Sequence, residues 1–509
     1  MLSKAESPPD RAASTSLGST PGGLRWGYRE LTWALALLGI ALRLEQYFYN
    51  RSLWMDEAMV GLNLIQRSFG HLTDHLLDFH VTEPLLWLFT GKICYLLLGG
   101  RELALRLPEI VAGAIAVVLV LVLGKRLLSP AALCVAVGWF ALSRPLIYYS
   151  SELKPYGSDP AVSALLWLAA FWTLAKPNKT RIAVLALAGA IGVWYSYPAL
   201  FVLSGLGLTI LWWTLAEGGW PRLAPFIPAL LAWAASFGSN YWFFLRASSH
   251  DPMLLNNYKP LGPTLWRFAD LEKMLEMVFA LQQTPFTILL GVALFAFCVG
   301  CAYYWRRNRL AFCLLLTPLL FALLASSLHL YPPVGRFFNF FTPALVILIG
   351  AGVEVVIQAG KSQRMPLAAV LIVLLFLQPV LSAQEVIAHP IQAEEVRQAL
   401  AYVQRRQQPG DVWYIYWHTQ IAYQYYAQVY GLRGNNAVHS TYFDGIHREV
   451  FDQDAARLHG RRVWVIISNP GRMGGADEFV LVLQAFDRAG KRLETHWEAG
   501  AVALLYQMK

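Results

Sequence analysis

Charge is what this chain has least of. Only 14% of its 509 residues are Asp, Glu, Lys or Arg, against 56% hydrophobic, and its mean hydropathy is +0.43. Such a balance excludes an ordinary soluble globule and points to a protein of the membrane. Cysteine is scarce as well. Cys94, Cys134, Cys298, Cys301 and Cys313 form an odd, scattered set inside apolar segments, without metal-ligand spacing or a secreted disulfide framework, and they read as small hydrophobes. A nucleotide fingerprint is missing too, because the Gly471 to Gly475 stretch lacks the Lys-Ser/Thr that completes a phosphate loop. The formal net charge of +9 sits in short loops between apolar runs, where basic residues set orientation; no nucleic-acid partner is expected. Glu45 and Glu354 are the main charges within apolar runs, both near an end, and an ion-coupled transporter would need acids near the midplane.

What the chain does have is apolar length. The tail Met1 to Gly23 is rich in Ser, Pro and Gly, and residues 1–30 read as a disordered cytoplasmic segment. Lys4, Arg11, Arg25 and Arg29 precede the first run, Leu31 to Phe48, and no small-residue cleavage site follows it, so it reads as an anchor with a cytoplasmic N-terminus. Basic loops at Lys125-Arg126, Lys176 to Arg181 and Trp305 to Arg309, with Lys361 and Arg364 a weaker fourth, mark further cytoplasmic turns. Between them the runs at 109–124, 131–149, 158–175, 182–197, 199–216, 223–245, 284–304, 310–329, 337–357 and 365–381 alternate consistently. With the first they make about eleven spans of roughly 20 residues each. Crossing at Pro84 to Leu98 would reverse the basic loops, so that run is expected to lie in the interface, together with an amphipathic stretch from Ala58 to Leu77. Residues 49–108 then form one large external loop of a transmembrane domain covering 31–382.

This topology gathers the polar residues on the external side: Asp56, Glu57, His80, Glu83, Arg106, Glu152, Lys154, Tyr156, Asp159, His329, Tyr331 and Arg336. Adjacent carboxylates at a membrane surface are expensive and generally functional, although Asp56 and Glu57 equally suit the first turn of an interfacial helix. Arg106 and Lys154 also fit snorkelling anchors, and Glu152 and Asp159 fit structural partners of Lys154. His71, Asp74, His75, Asp78 and His80 include an i, i+4 His pair of metal-binding spacing, which a polar interfacial face explains more simply. A divalent metal therefore stays open, and no other cofactor is indicated.

Four motifs in order carry a resemblance. They are Trp54-Met-Asp56-Glu57-Ala, then Glu83-Pro84 opening an apolar run, then Glu102-Leu-Ala-Leu-Arg106-Leu-Pro108, then Tyr149-Ser-Ser-Glu152-Leu-Lys154-Pro-Tyr156-Gly-Ser-Asp159. Over roughly the first 340 residues the chain resembles the polytopic GT-C glycosyltransferases. It is most similar to bacterial relatives of the dolichyl-phosphate-mannose protein mannosyltransferases and of the lipid A aminoarabinose transferase. Where these enzymes commonly carry His-Pro-Pro or Lys-Pro-Pro, this chain has Glu83-Pro84. The resemblance implies a multi-pass protein of the cytoplasmic membrane that takes a sugar from a polyprenyl-phosphate donor to an extracytoplasmic acceptor, with inversion. It implies Asp56 as base, with Glu57 orienting Asp56, the acceptor or an ion. Such chemistry also needs cations at the departing phosphate, for which Arg106, Lys154 and Arg336 are the candidates. Arg336 leads because Tyr331-Pro-Pro-Val-Gly-Arg336 resembles a late external loop of these enzymes and Arg offers a bidentate fork. Glu83, Glu152, Tyr156, Asp159, His80 and Tyr331 would support the site. The alternatives are a polyprenyl-linked oligosaccharide ligase or polymerase, and a non-catalytic polysaccharide-export component.

Beyond Leu381 the composition turns soluble. Helices at 394–407, 421–430 and 478–488 alternate with strands at 412–417, 463–468 and 501–506, which predicts a small extracytoplasmic α/β domain over 383–509. It is expected to cover the cavity and help select the acceptor.

Overall fold

The computed structural model describes residues 22–74, 77–252, 287–331, 335–359, 365–434, 436–441, 449–473 and 476–509, with single residues between 267 and 278. Residues 1–21 of the expected tail lie outside these, as does His75 of the proposed His pair, whereas residues 22–30, expected to be disordered, belong to the first helix. Thirteen principal helices lead the fold: α1 (Gly22–Tyr49), α2 (Met55–Gln66), α3 (Leu85–Leu98), α4 (Glu102–Leu127), α5 (Pro130–Leu142), α6 (Ser158–Ala175), α7 (Lys179–Tyr195), α8 (Ala199–Leu223), α9 (Ile227–Asn240), α10 (Thr287–Arg307), α11 (Arg309–Ser327), α12 (Thr342–Ala359) and α13 (Met365–Ala388). Among the described residues, six helical runs are long and apolar enough to cross a membrane. α3 is shorter, its 14 residues reaching about 21 Å at 1.5 Å each.

The basic turns have a local reason as well as a topological one. Lys125 and Arg126 end α4 and Arg306 and Arg307 end α10, where cations oppose the negative helix end. The next helices open on oxygen caps: Ser129 accepts from the Ala132 N–H, Asn178 from Arg181 and Asn308 from Ala311. Tyr304 Oη donates to the Leu127 carbonyl at 2.7 Å, joining two of these turns at one end of the bundle.

Two expected elements differ. The run 131–149 breaks at Ser143, where α5 stops and a short helix, Arg144–Tyr149, restarts with Pro145 in its first turn. The stretch from Ala58 to Leu77 is not one surface helix. α2 ends at Gln66, and most of its length is buried, because it packs beneath the C-terminal unit instead of along a lipid face.

That unit is built from a five-stranded sheet of order β2-β1-β3-β7-β6, with β1 (Val412–Ile415), β2 (Ala437–His439), β3 (Arg462–Ser468), β6 (Gly490–Glu498) and β7 (Ala501–Met508). A two-residue pair, β4 (Arg472–Met473) and β5 (Ala476–Asp477), stands apart. β1 pairs parallel with β2 and β3, while β7 runs antiparallel to both β3 and β6. Helices α14 (Val396–Arg406), α15 (Thr419–Tyr430) and α16 (Glu478–Ala489) lie close to the expected positions. Alternation along the strands splits the core. Val463, Val465 and Ile467 face α16, whereas Trp464 and Ile466 face α14 and α15. The second of these layers continues without interruption into Leu53, Ala58, Leu62 and Trp87 of the first external segment.

Within the bundle, α10 and α12 approach so closely that only glycine fits. A Cβ on Gly300 would stand 1.8 Å from the Leu348 carbonyl oxygen, and one on Gly352 would stand 1.8 Å from that of Ala296. Gly352→Val must therefore push the two helices apart, and backbone atoms cannot relieve the clash by changing rotamer. A loss of about 1–3 kcal/mol or more is expected, seen as a lower midpoint in thermal unfolding of the detergent-solubilised protein. An unchanged midpoint would mean that these helices do not meet at Gly352.

Candidate active site

Asp56 and Glu57 occupy the first turn of α2, and the structure gives them opposite surroundings. Glu57 is fully buried. Its carboxylate accepts from Arg51 (2.7 Å), from Arg106 Nε and Nη2 (both 2.8 Å) and from the Leu153 N–H (2.7 Å). Burial alone would raise its pKa, but Arg106 and Arg51 outweigh that and hold it below the usual carboxylate range. Arg106 also donates to the carbonyls of Arg51 and Ser52. Arg106 is thus not available as a phosphate cation. Glu57 is not among the residues that line the cavity, and its bonds tie α2 to α4 and to the 151–154 loop.

Asp56 faces the other way, with its side chain 27% exposed. Its Oδ2 is 3.9 Å from Lys154 Nζ and 3.8 Å from Arg336 Nη2. Lys154 also donates to Glu83 Oε1 at 2.9 Å. Burial would lower the Lys154 pKa, but Asp56 and Glu83 prevail and hold the ammonium above its ordinary range. Burial raises Glu83, with Lys154 and Arg336 opposing. The Arg336 guanidinium lies 5.4 Å from the rings of both Tyr156 and Phe337, within cation–π range. Asp56, Glu83, Lys154 and Arg336, spread over 280 positions, therefore converge on one point.

The remaining candidates divide. Asp56, His80, Glu83, Lys154, Tyr156, Asp159 and Tyr331 line a single cavity of about 1980 Å³. Asp159 accepts from Ser196 Oγ at 2.6 Å, Tyr331 Oη donates to the Phe337 carbonyl at 2.7 Å, and His80 pairs with the buried Asp251 at 2.6 Å. Glu152 is off the wall, bonded to the Trp54 indole at 2.8 Å; burial, then the Glu57 charge, push it up to about 7 against Arg51 and Arg336. The far wall comes from residues that the motifs did not mark: Trp417, His418, Tyr423 and Gln424 on or just before α15, with Arg433 and His439. Their only sequence signal is the polar and aromatic face at i, i+3 and i+4 along 417–428.

The oxygens of Asp56 and Glu83 face an ammonium and a guanidinium. Among the described residues no group of three or more His, Cys, Asp or Glu side chains is placed to share an ion.

No protein-family model and no curated protein sequence matches the chain. Solved structures do. ArnT from Cupriavidus metallidurans, a lipid A aminoarabinose transferase, superposes in its apo state with a TM-score of 0.54 at 12% identity, over 95% of this chain and 98% of that one. The same enzyme bound to undecaprenyl phosphate gives 0.50 at 12% identity, over 94% and 98%. The oligosaccharyltransferase AglB from Archaeoglobus fulgidus, in complex with an inhibitory peptide and a dolichol-phosphate, gives 0.51 at 9% identity, over 95% and 74%. Both are glycosyltransferases, and the fold this chain shares with them along nearly its whole length is the GT-C fold.

Proposed function

We propose that this protein is a membrane glycosyltransferase that moves a sugar from a polyprenyl-phosphate donor to a hydroxyl acceptor on the extracytoplasmic side of the cytoplasmic membrane. The observation that carries the reading is Asp56, open to a cavity and flanked by Lys154 and Arg336 within 4 Å, on a GT-C fold. That two proteins of this fold are seen with undecaprenyl phosphate and with a dolichol-phosphate supports a lipid-linked donor. The cavity exceeds the roughly 300–1,000 Å³ of a pocket for one small molecule, which suits a donor and an acceptor held together. In this reading about eleven helices cross the bilayer, the N-terminus is cytoplasmic, and residues 383–509 form a domain on the outer side.

Asp56 accepts the acceptor's hydroxyl proton as the oxygen attacks the anomeric carbon. The new carbon–oxygen bond forms as the bond from that carbon to the phosphate oxygen breaks on the opposite face, which inverts the configuration. The departing polyprenyl phosphate carries the electron pair and extra negative charge. Lys154, held cationic by two carboxylates, and Arg336, steadied by two rings, supply the compensating charge where it develops.

Asp56→Asn is expected to fold and insert normally yet lower turnover with the lipid-linked donor by about 10² to 10⁴, the usual contribution of a positioned base. Near-normal turnover would remove Asp56 from the role. Arg336→Lys keeps the charge but loses the planar fork, so normal expression with most activity lost and weaker donor binding is expected. The same exchange at Arg309, in a basic turn at the other end, should have little effect, and equal activity of Arg336→Lys and wild type would return Arg336 to the surface anchors.

A further inference from the structure

Residues 50–54 form neither helix nor strand, yet they deliver Asp56 to the cavity. Their backbone is gripped from outside, one group after another. Arg397 donates to the Asn50 carbonyl at 2.5 Å. Glu395 accepts from the Ser52 N–H at 3.0 Å and from its Oγ–H at 2.9 Å. The Tyr426 hydroxyl accepts from the Leu53 N–H at 2.6 Å. These grips all come from the C-terminal unit, more than 340 positions away in the chain.

Met55 is the first residue of α2, and its N–H is one of the orphan donors of a helix start. Trp54 at the cap position offers no side-chain acceptor, so the start of α2 is held through the gripped segment that precedes it. Asp56 follows immediately. The sheet's core layer also runs into Leu53 and Ala58 on either side, so the C-terminal unit and the start of α2 share one packed core.

We propose that Glu395 and Tyr426 are positioning residues for Asp56, and that the C-terminal unit sets the carboxylate's distance from Lys154 and Arg336 as well as walling the cavity. The proposal rests on the reading of Asp56 as the base. Neither need touch substrate; they act through the backbone of residues 52 and 53.

Tyr426→Phe and Glu395→Ala test it in the full-length protein in nanodiscs. Tyr414→Phe serves as the control, since Tyr414 is equally buried in the same C-terminal unit but donates to Asp454, away from the segment. Hydrogen–deuterium exchange should quicken in a peptide covering residues 50–58 for both test variants and not for the control. With a lipid-linked donor, kcat should fall about 10- to 100-fold, the order that a shift of about 1 Å costs a reacting group, while the donor KM stays within about twofold of wild type, as expected when transition-state contacts alone are lost. Unchanged exchange in both variants, or faster exchange with unchanged kcat, would overturn the proposal. If Asp56→Asn itself keeps full turnover, the base reading has failed, and the exchange data still report separately whether the grip exists.

Discussion

The buried Glu57 carboxylate is the point on which this architecture turns. It is removed from water among two guanidiniums and a backbone N–H, and through them it joins α2, α4 and the 151–154 loop. Deleting one partner of such a group leaves an uncompensated buried charge, typically at a cost of about 3–5 kcal/mol. Its depressed pKa gives a pH signature with a definite sign. Glu57 contributes stability above the unfolded carboxylate pKa, and the contribution is lost as the pH falls through the lower folded value. Because Glu57 is locked inward, its neighbour Asp56 is turned toward the cavity.

Everything reactive then follows from what surrounds Asp56. Lys154 arrives on the loop that Glu57 holds through Leu153, one residue earlier. Arg336 arrives from the turn before α12, packed on Tyr156 of the same loop. The wall opposite is contributed by α15, whose buried face shares a core with α2. The helical bundle supplies the charged side of the cavity and the C-terminal unit supplies the amide and aromatic side, so neither part encloses the site alone.

How much of this was legible in the sequence depended on what each residue type reveals. Asp56, Lys154 and Arg336 were legible because their motifs stand in a fixed order, and the fold brings them together. The pair Asp56-Glu57 announced a site but not its division of labour: consecutive helical residues point about 100° apart, and only packing decides which one faces inward. Arg106 looked like a phosphate cation for the same reason, since a buried and a solvent-facing Arg are spelled alike. Arg51, beside the acidic pair, carries no sequence signal that sets it apart, although it is the other half of the Glu57 cluster. The strand β6 was hidden by its composition, Gly490-Lys-Arg-Leu-Glu-Thr-His-Trp-Glu498, which is mostly polar because it forms an exposed sheet edge. Ser52 and Glu395 are 343 positions apart, a separation that no local pattern encodes.

The central claim concerns the donor, and it is tested most directly by offering purified protein in nanodiscs the same radiolabelled sugar in two forms, linked to a polyprenyl phosphate or carried by a soluble nucleotide. Transfer to a cell-envelope acceptor fraction from the lipid-linked form alone is the expected result, since in the proposed reading Lys154 and Arg336, both beside Asp56, bind the donor phosphate, and the sequence carries no nucleotide fingerprint. Efficient transfer from the sugar nucleotide, with none from the lipid-linked form, would contradict it.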